Sequence, residues 1–219
     1  MTVWSVIKIY GVGMRKRART ESEREDRMRA IRAAALDVFS AKGFAAARLD
    51  DVALAAGVAK GTIYLYFKSK EDLFEAIVNT TLGPLLETFE QTIAASPASA
   101  SVLLRGMGQA IAAAIEDADR RRVLHLVLSE GARFPAIADF YHREIISRAM
   151  KLVRALVTKG CASGEFCSDE LARFPQLVIA PALTATIWAV VFDRIEKLDA
   201  RAMLDAHFDL LLRALRTPS

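Results

Sequence analysis

LDDVALAAGVAKGTIYLYF, Leu49–Phe67, is the stretch whose reading decides the fold. Leu49, Val52, Ala53 and Ala56 recur on one face at helical spacing, which predicts a short helix over 49–56. Gly57 follows as a residue able to take the backbone of a sharp turn. Helical spacing resumes from about Lys60 to Phe67, and small Ala53 lets two helices cross closely. Val58, Ile63 and Phe67 are placed to bury against a further helix, and together these are the parts of a helix-turn-helix.

At about 100° per residue, Ile63 and Phe67 share the buried side of the second of these helices. Gly61, Thr62, Leu65 and Tyr66 fall on the opposite arc. A leucine between a threonine and a tyrosine is out of place on a solvated face but suits a major groove. There Leu65 would meet a thymine methyl, Thr62 a base or phosphate, and Gly61 would remove bulk. Lys60, Tyr64 and Lys70 lie at the flanks, where phosphate contact is expected, Lys70 helped by the helix N-terminus beside it.

Upstream, Met28, Ile31, Ala35, Val38 and Phe39 give a first helix from Glu25, ended by Gly43 after Lys42. Downstream, Ser69-Lys70-Glu71-Asp72 reads as a capping box opening a longer helix, which Gly83 and Pro84 should kink or break. Beyond Pro97 the pattern stays helical, with breaks expected at 117–119, 133–135, 159–169 and 198–199, and no strand-like alternation occurs. The fold class is therefore all-α. A disordered extension and basic arm is expected over 1–24, a helix-turn-helix domain over 25–70 and a second helical domain over 71–219. The stretch 1–13 has no evident structural use, and Met14, followed at once by basic residues, reads as the natural start.

The 219 residues carry a formal net charge of +4, and its distribution is uneven. Between Arg15 and Lys70, 13 Lys or Arg stand against 7 Asp or Glu, whereas 71–219 holds 16 against 19. A basic head on a neutral-to-acidic body points to a polyanion, nucleic acid first, although a solvated helical surface has the same composition. Arg15, Lys16, Arg17 and Arg19 form either an inert tail or an arm reaching DNA phosphates or the minor groove. The apolar run Leu177–Phe192 is shorter than the roughly 20 residues of a membrane span and contains Pro181, so no membrane role is expected. Two cysteines, Cys161 and Cys167, make no disulfide framework, and cytoplasmic localisation is expected.

The run GFAAARLDDVALAAGVAKGTIYLYFKSKEDLFEAIV, Gly43–Val78, closely resembles the DNA-binding domain of the TetR/AcrR family of bacterial regulators. The likeness is strong over residues 25–80, where turn glycine, Gly-Thr-hydrophobic-Tyr, aromatic and Lys-Glu-x-Leu occur in the family's order. Two positions depart from it. Arg48 stands where a threonine usually caps helix two and touches phosphate, and Ala59 where a serine often caps the recognition helix. Arg48 keeps a phosphate contact available by charge, but each lost cap is expected to weaken a helix start by about 1 kcal/mol.

The resemblance implies that the C-terminal part senses a ligand and dimerises, its last two long helices forming a four-helix bundle with a second copy. Here these would be about 170–197, apolar all round, and 200–216, with Leu204, Phe208, Leu211, Leu212 and Leu215. The segment His125–Phe166 is similar to C-terminal domains of regulators that sense apolar or aromatic compounds. Phe89, Met107, His125, Phe140, Trp188 and Phe192 are the candidate pocket residues, each of them equally suited to an ordinary core. Gly106 and Gly108 either open space or let helices pack closely.

His125, His142 and His207 are scattered without metal-ligand spacing, so no metal site, no cofactor and no catalytic residue is expected. The combined expectation is a homodimeric transcriptional regulator, a repressor released from a palindromic operator in double-stranded DNA by a small apolar or aromatic effector. The alternatives are a ligand-independent architectural DNA-binding protein and a helical enzyme or binding protein whose basic head is incidental.

Overall fold

The structure, a computed structural model, describes the backbone of residues 3–215 and the side chains of residues 21–215. Every regular element among the described residues is helical, and the chain divides into two compact units, Met1–Leu73 and Phe74–Ser219.

The first unit holds α1 (Val3–Ala46), α2 (Leu49–Ala55), α3 (Lys60–Tyr66) and the start of α4 (Lys70–Thr81). The extension and arm expected over 1–24 are not set apart from the first helix, since α1 runs through them; Arg and Glu, which favour helix, dominate 15–32. The side chains of Arg15, Lys16, Arg17 and Arg19 lie outside those described. Gly43, at φ 74°, ends the straight part of α1, so Phe44 folds back and its ring stacks 5.1 Å from that of Phe39. Ile31, Ala35, Val52, Ile63, Phe67 and Leu73 close the core around this pair. Gly57, at φ 66°, supplies the left-handed residue between α2 and α3.

The second unit holds α5 (Gly83–Ala95), α6 (Ala100–Glu116), α7 (Ala118–Glu130), α8 (Pro135–Tyr141), a π turn (His142–Ile146), α9 (Ser147–Ala162), α10 (Glu170–Arg173), α11 (Gln176–Val191) and α12 (Ala200–Leu215). Pro84 stands in the first turn of α5, where its missing N–H costs nothing, so the chain restarts a helix there. Ser99 and Asp117 cap α6 and α7 by accepting from the backbone N–H groups of Val102 and Arg120. Leu104, Val153, Leu156, Val178, Leu204 and Phe208 form the centre of the core. Gly108 serves close packing, because a methyl there would meet the Phe208 ring at 2.5 Å, whereas the space at Gly106 is open.

The long helix expected over 170–197 is divided. Pro175 separates α10 from α11, and beyond Val191 the chain makes tight turns closed by backbone hydrogen bonds from Ile195 and Glu196 to the Phe192 carbonyl.

Candidate functional site

Helix α3 shows two sharply different faces. Ile63 and Phe67 are 0% and 4% exposed, while Leu65 on the other side is 81% exposed. Gly61 beside it is open, with nothing near the position a Cβ would take, and Thr62 is half-buried. Tyr66 is also half-buried, its ring under the Arg24 guanidinium at 5.7 Å.

The flank residues are tied into the fold more than their spacing suggests. Lys60 Nζ stands 2.7 Å from Asp50 Oδ2, and the Tyr64 hydroxyl donates to Asp50 Oδ1 at 3.2 Å. One carboxylate on α2 therefore fixes two side chains of α3. The Lys60 hydrogen bond holds the Asp50 carboxyl below the usual range, and Asp50 in turn raises the Lys60 ammonium. Asp50 escaped the reading of the sequence; its place in the first turn of α2, ten residues before Lys60, is the signal that was available.

Lys70 does not stand free at its helix terminus. Its ammonium donates to the carbonyls of Phe44 and Ala45 at 2.6 and 3.0 Å and lies 4.7 Å from the Phe44 ring centroid. A cation is favourable there because the last carbonyls of α1 lack helical donors. Arg48 has no acceptor with which to cap α2, and Asp51 supplies the reverse contact by accepting from the Arg48 backbone N–H at 3.2 Å. Lys42 pairs with the same Asp51 at 2.8 Å. Ala59 gives no side-chain cap to α3. At α4, Ser69 Oγ accepts from the Asp72 N–H at 3.0 Å, while Asp72 reaches the N–H of Lys68 and not that of Ser69.

In the second unit an apolar cavity of about 150 Å³ lies among α5, α6, α7, α8, the π turn, α9 and α11. Of the six candidate pocket residues, Phe89 and Met107 line it, and His125, Phe140, Trp188 and Phe192 do not. His125 points to the surface of α7. Phe140 packs edge-on against Phe74, with ring centroids 6.5 Å apart. Trp188 stacks on Phe192 at 5.1 Å and donates from Nε1 to the Glu196 carbonyl, which takes both rings past the end of α11. The π turn brings both Ile145 and Ile146 to the cavity wall beside Tyr141. The polar side chains among the lining are Tyr141, Thr186, Arg120 and Arg121, none of them singled out by the sequence.

A second feature of this unit is apolar surface. Leu177, Ala180, Thr184, Ile187 and Val191 form an exposed stripe of three- and four-residue steps along α11, and Leu210 on α12 is exposed as well. Residues read as too apolar to face water thus lie at the surface of a single chain.

A leucine 81% exposed on the second helix of a helix-turn-helix is the arrangement that DNA-binding transcriptional regulators present to a duplex groove. Residues 31–77 match the family model of bacterial regulatory proteins of the tetR family. The fatty acid metabolism regulator protein of Bacillus subtilis is 25% identical over 186 residues, 83% of this chain and 92% of that one. The crystal structure of the transcriptional regulator FadR from Bacillus subtilis in complex with stearoyl-CoA superposes with a TM-score of 0.67 at 25% identity, covering 85% of this chain and 98% of that one. The SmeT–triclosan complex reaches a TM-score of 0.73 at 20% identity over 89% and 93% of the two chains, a likeness of fold.

Proposed function

We propose that this chain is a homodimeric, effector-released repressor that reads a palindromic operator with α3. The observation that carries the reading is the exposed apolar side chain of Leu65, set between Thr62 and Tyr66 over the buried pair Ile63 and Phe67. Leu65 meets a thymine methyl, Thr62 and Tyr66 contact base or phosphate, and Gly61 lets the helix approach. Lys60 and Tyr64, positioned by Asp50, and exposed Arg48 meet the backbone. Arg15, Lys16, Arg17 and Arg19 extend this basic surface as an arm. The cavity takes a small apolar or aromatic effector, a reading supported by its apolar walls and by relatives whose names include fatty acid metabolism, stearoyl-CoA and triclosan. Its volume of about 150 Å³ is room for a small ligand. The exposed stripe of α11, with α12, is the surface that a second copy covers. Among the described residues no helix is long and apolar enough to cross a membrane, which fits the cytoplasmic location such a regulator needs.

The test is to map the chain's binding sites on its own genome and repeat the measurement with Leu65→Ala. The variant should keep its thermal stability and lose about 1 to 3 kcal/mol on sites carrying the contacted thymine, with little loss where that base is changed. Uniform weakening across all sequences would remove Leu65 from the base-reading face.

A further inference from the structure

Of the polar side chains that line the cavity, Tyr141, Arg120 and Arg121 keep hydrogen-bond donors that no protein acceptor takes up among the described residues. Tyr141 is 8% exposed, yet its hydroxyl makes no hydrogen bond among the described residues, and no buried side-chain polar atom there is sealed away unpaired. The hydroxyl is thus left without a protein partner on a side chain that lines the cavity. Burial alone pushes its phenol up to about 12, so it keeps its proton and can donate at any neutral pH. Thr186 is different, its hydroxyl already donating to the Ala182 carbonyl at 2.8 Å.

The two arginines add charge. Arg120 donates from Nε to the Thr81 carbonyl at 3.0 Å and Arg121 from Nη1 to the Ile115 carbonyl at 3.2 Å. Each guanidinium has five N–H donors, so most remain, and neither forms an ion pair with a carboxylate among the described residues. Two half-buried cations at an apolar void, without protein anions, are complemented by an anion that enters with the ligand. A guanidinium fork and a phenol both donate well to a carboxylate.

We infer that the effector is an aliphatic or aromatic monocarboxylate, its apolar body lying among Leu85, Phe89, Ile111 and Leu152 and its carboxylate taken by Arg120, Arg121 and Tyr141. This rests on the cavity being the effector site, and it adds the headgroup class to that reading.

Octanoate, methyl octanoate and octanoyl-CoA are the probes, titrated calorimetrically into the full-length dimer and into three variants. Methyl octanoate keeps the chain and the carbonyl acceptor and lacks the charge. Octanoate should bind about tenfold more tightly than the ester, and Arg121→Gln should reduce that difference several-fold. Arg121→Lys keeps the charge should the glutamine variant fail to fold, and it should retain part of the preference. Tyr141→Phe should weaken both ligands several-fold while leaving the unfolding temperature of the free protein unchanged. Equal binding of octanoate and its ester to the wild type would overturn the carboxylate and leave the cavity reading standing. Tighter binding of octanoyl-CoA than of octanoate would assign the charge to a carrier phosphate and overturn the free acid. Failure of all three to bind a folded dimer would remove the cavity reading as well.

Discussion

The imidazole of His207 on α12 lies 2.9 Å from the carbonyl oxygen of Leu177 on α11. Four residues on from Leu177 stands Pro181, which has no N–H to offer that carbonyl. A side chain from the neighbouring helix thus replaces the donor that proline removes, and the ring of His207 sits edge-on to Phe208, 5.7 Å away.

His207→Ala should therefore destabilise the second unit by about 0.5 to 1.5 kcal/mol, the net worth of a hydrogen bond to a carbonyl that water can reach. Pro181→Ala restores a backbone donor to Leu177, so the same change made in that background should cost clearly less. Urea unfolding of the four proteins at one fixed concentration measures the coupling. Equal losses in both backgrounds would show that His207 contributes only by packing.

Asp50 sets the second prediction, because one carboxylate holds Lys60 and Tyr64 while placing a negative charge on the proposed DNA face. Asp50→Asn should raise affinity for random duplex DNA at low salt by freeing Lys60, and sharpness between specific and random sequences should fall as α3 loses its tether. The sign with pH follows from the lowered Asp50 carboxyl. The contact is fully present above the ordinary aspartate value near 4 and is lost only as pH falls through the lower folded value, so binding should not change through this pair between pH 5 and 8. A fluorescence anisotropy titration against pH checks it; a loss already between pH 5 and 6 would point to a different group.

These two contacts mark how far the sequence carries. Periodicity is local, so the turn at Gly57, the burial of Ile63 and Phe67 and the exposure of Leu65 were all legible from residues within a few turns of each other. The His207 contact joins positions 30 residues apart, and nothing in either neighbourhood announces it. The cavity failed for the same reason: apolar character is common to Phe89, Met107, Phe140, Trp188 and Phe192. Helix crossings and the π turn decide which of them face a void. Nothing local marks Arg120 and Arg121, which the fold places on the cavity wall.

Lys70 is the opposite case: read as a phosphate ligand beside a helix N-terminus, it carries an ammonium that donates to two carbonyls at the end of α1. Lys70→Ala should lower the stability of the first unit by about 1 kcal/mol or somewhat more, since two hydrogen bonds to carbonyls and a ring contact are lost. The slope of DNA affinity against salt should stay close to that of the wild type, because no phosphate contact is removed. Amide hydrogen exchange at the end of α1 reports the first effect and salt titrations the second. A slope reduced by about one with unchanged exchange would return Lys70 to the phosphates.

The last prediction concerns the stripe on α11. Ile187 is 48% and Leu210 on α12 is 61% exposed in the single chain, and Leu177, Ala180, Thr184 and Val191 continue the same face at steps that one helix presents to another. Leaving such a continuous apolar face in water is unfavourable by roughly 25 cal/mol for each Å² that a partner would cover, so a second copy of the chain is the expected cover. Ile187→Glu puts an unpaired carboxylate into that contact in both copies, and burying either one costs several kcal/mol. The variant should sediment as a 24.0 kDa monomer at micromolar concentration, where the wild type sediments at twice that mass, and should keep its helical circular dichroism. Leu128→Glu is the control: Leu128 is exposed to a similar degree but sits on α7 and is not part of the stripe, and the change should leave the dimer intact. Should Leu128→Glu dissociate the protein while Ile187→Glu does not, the interface lies on α7 and the stripe of α11 faces something other than a second copy.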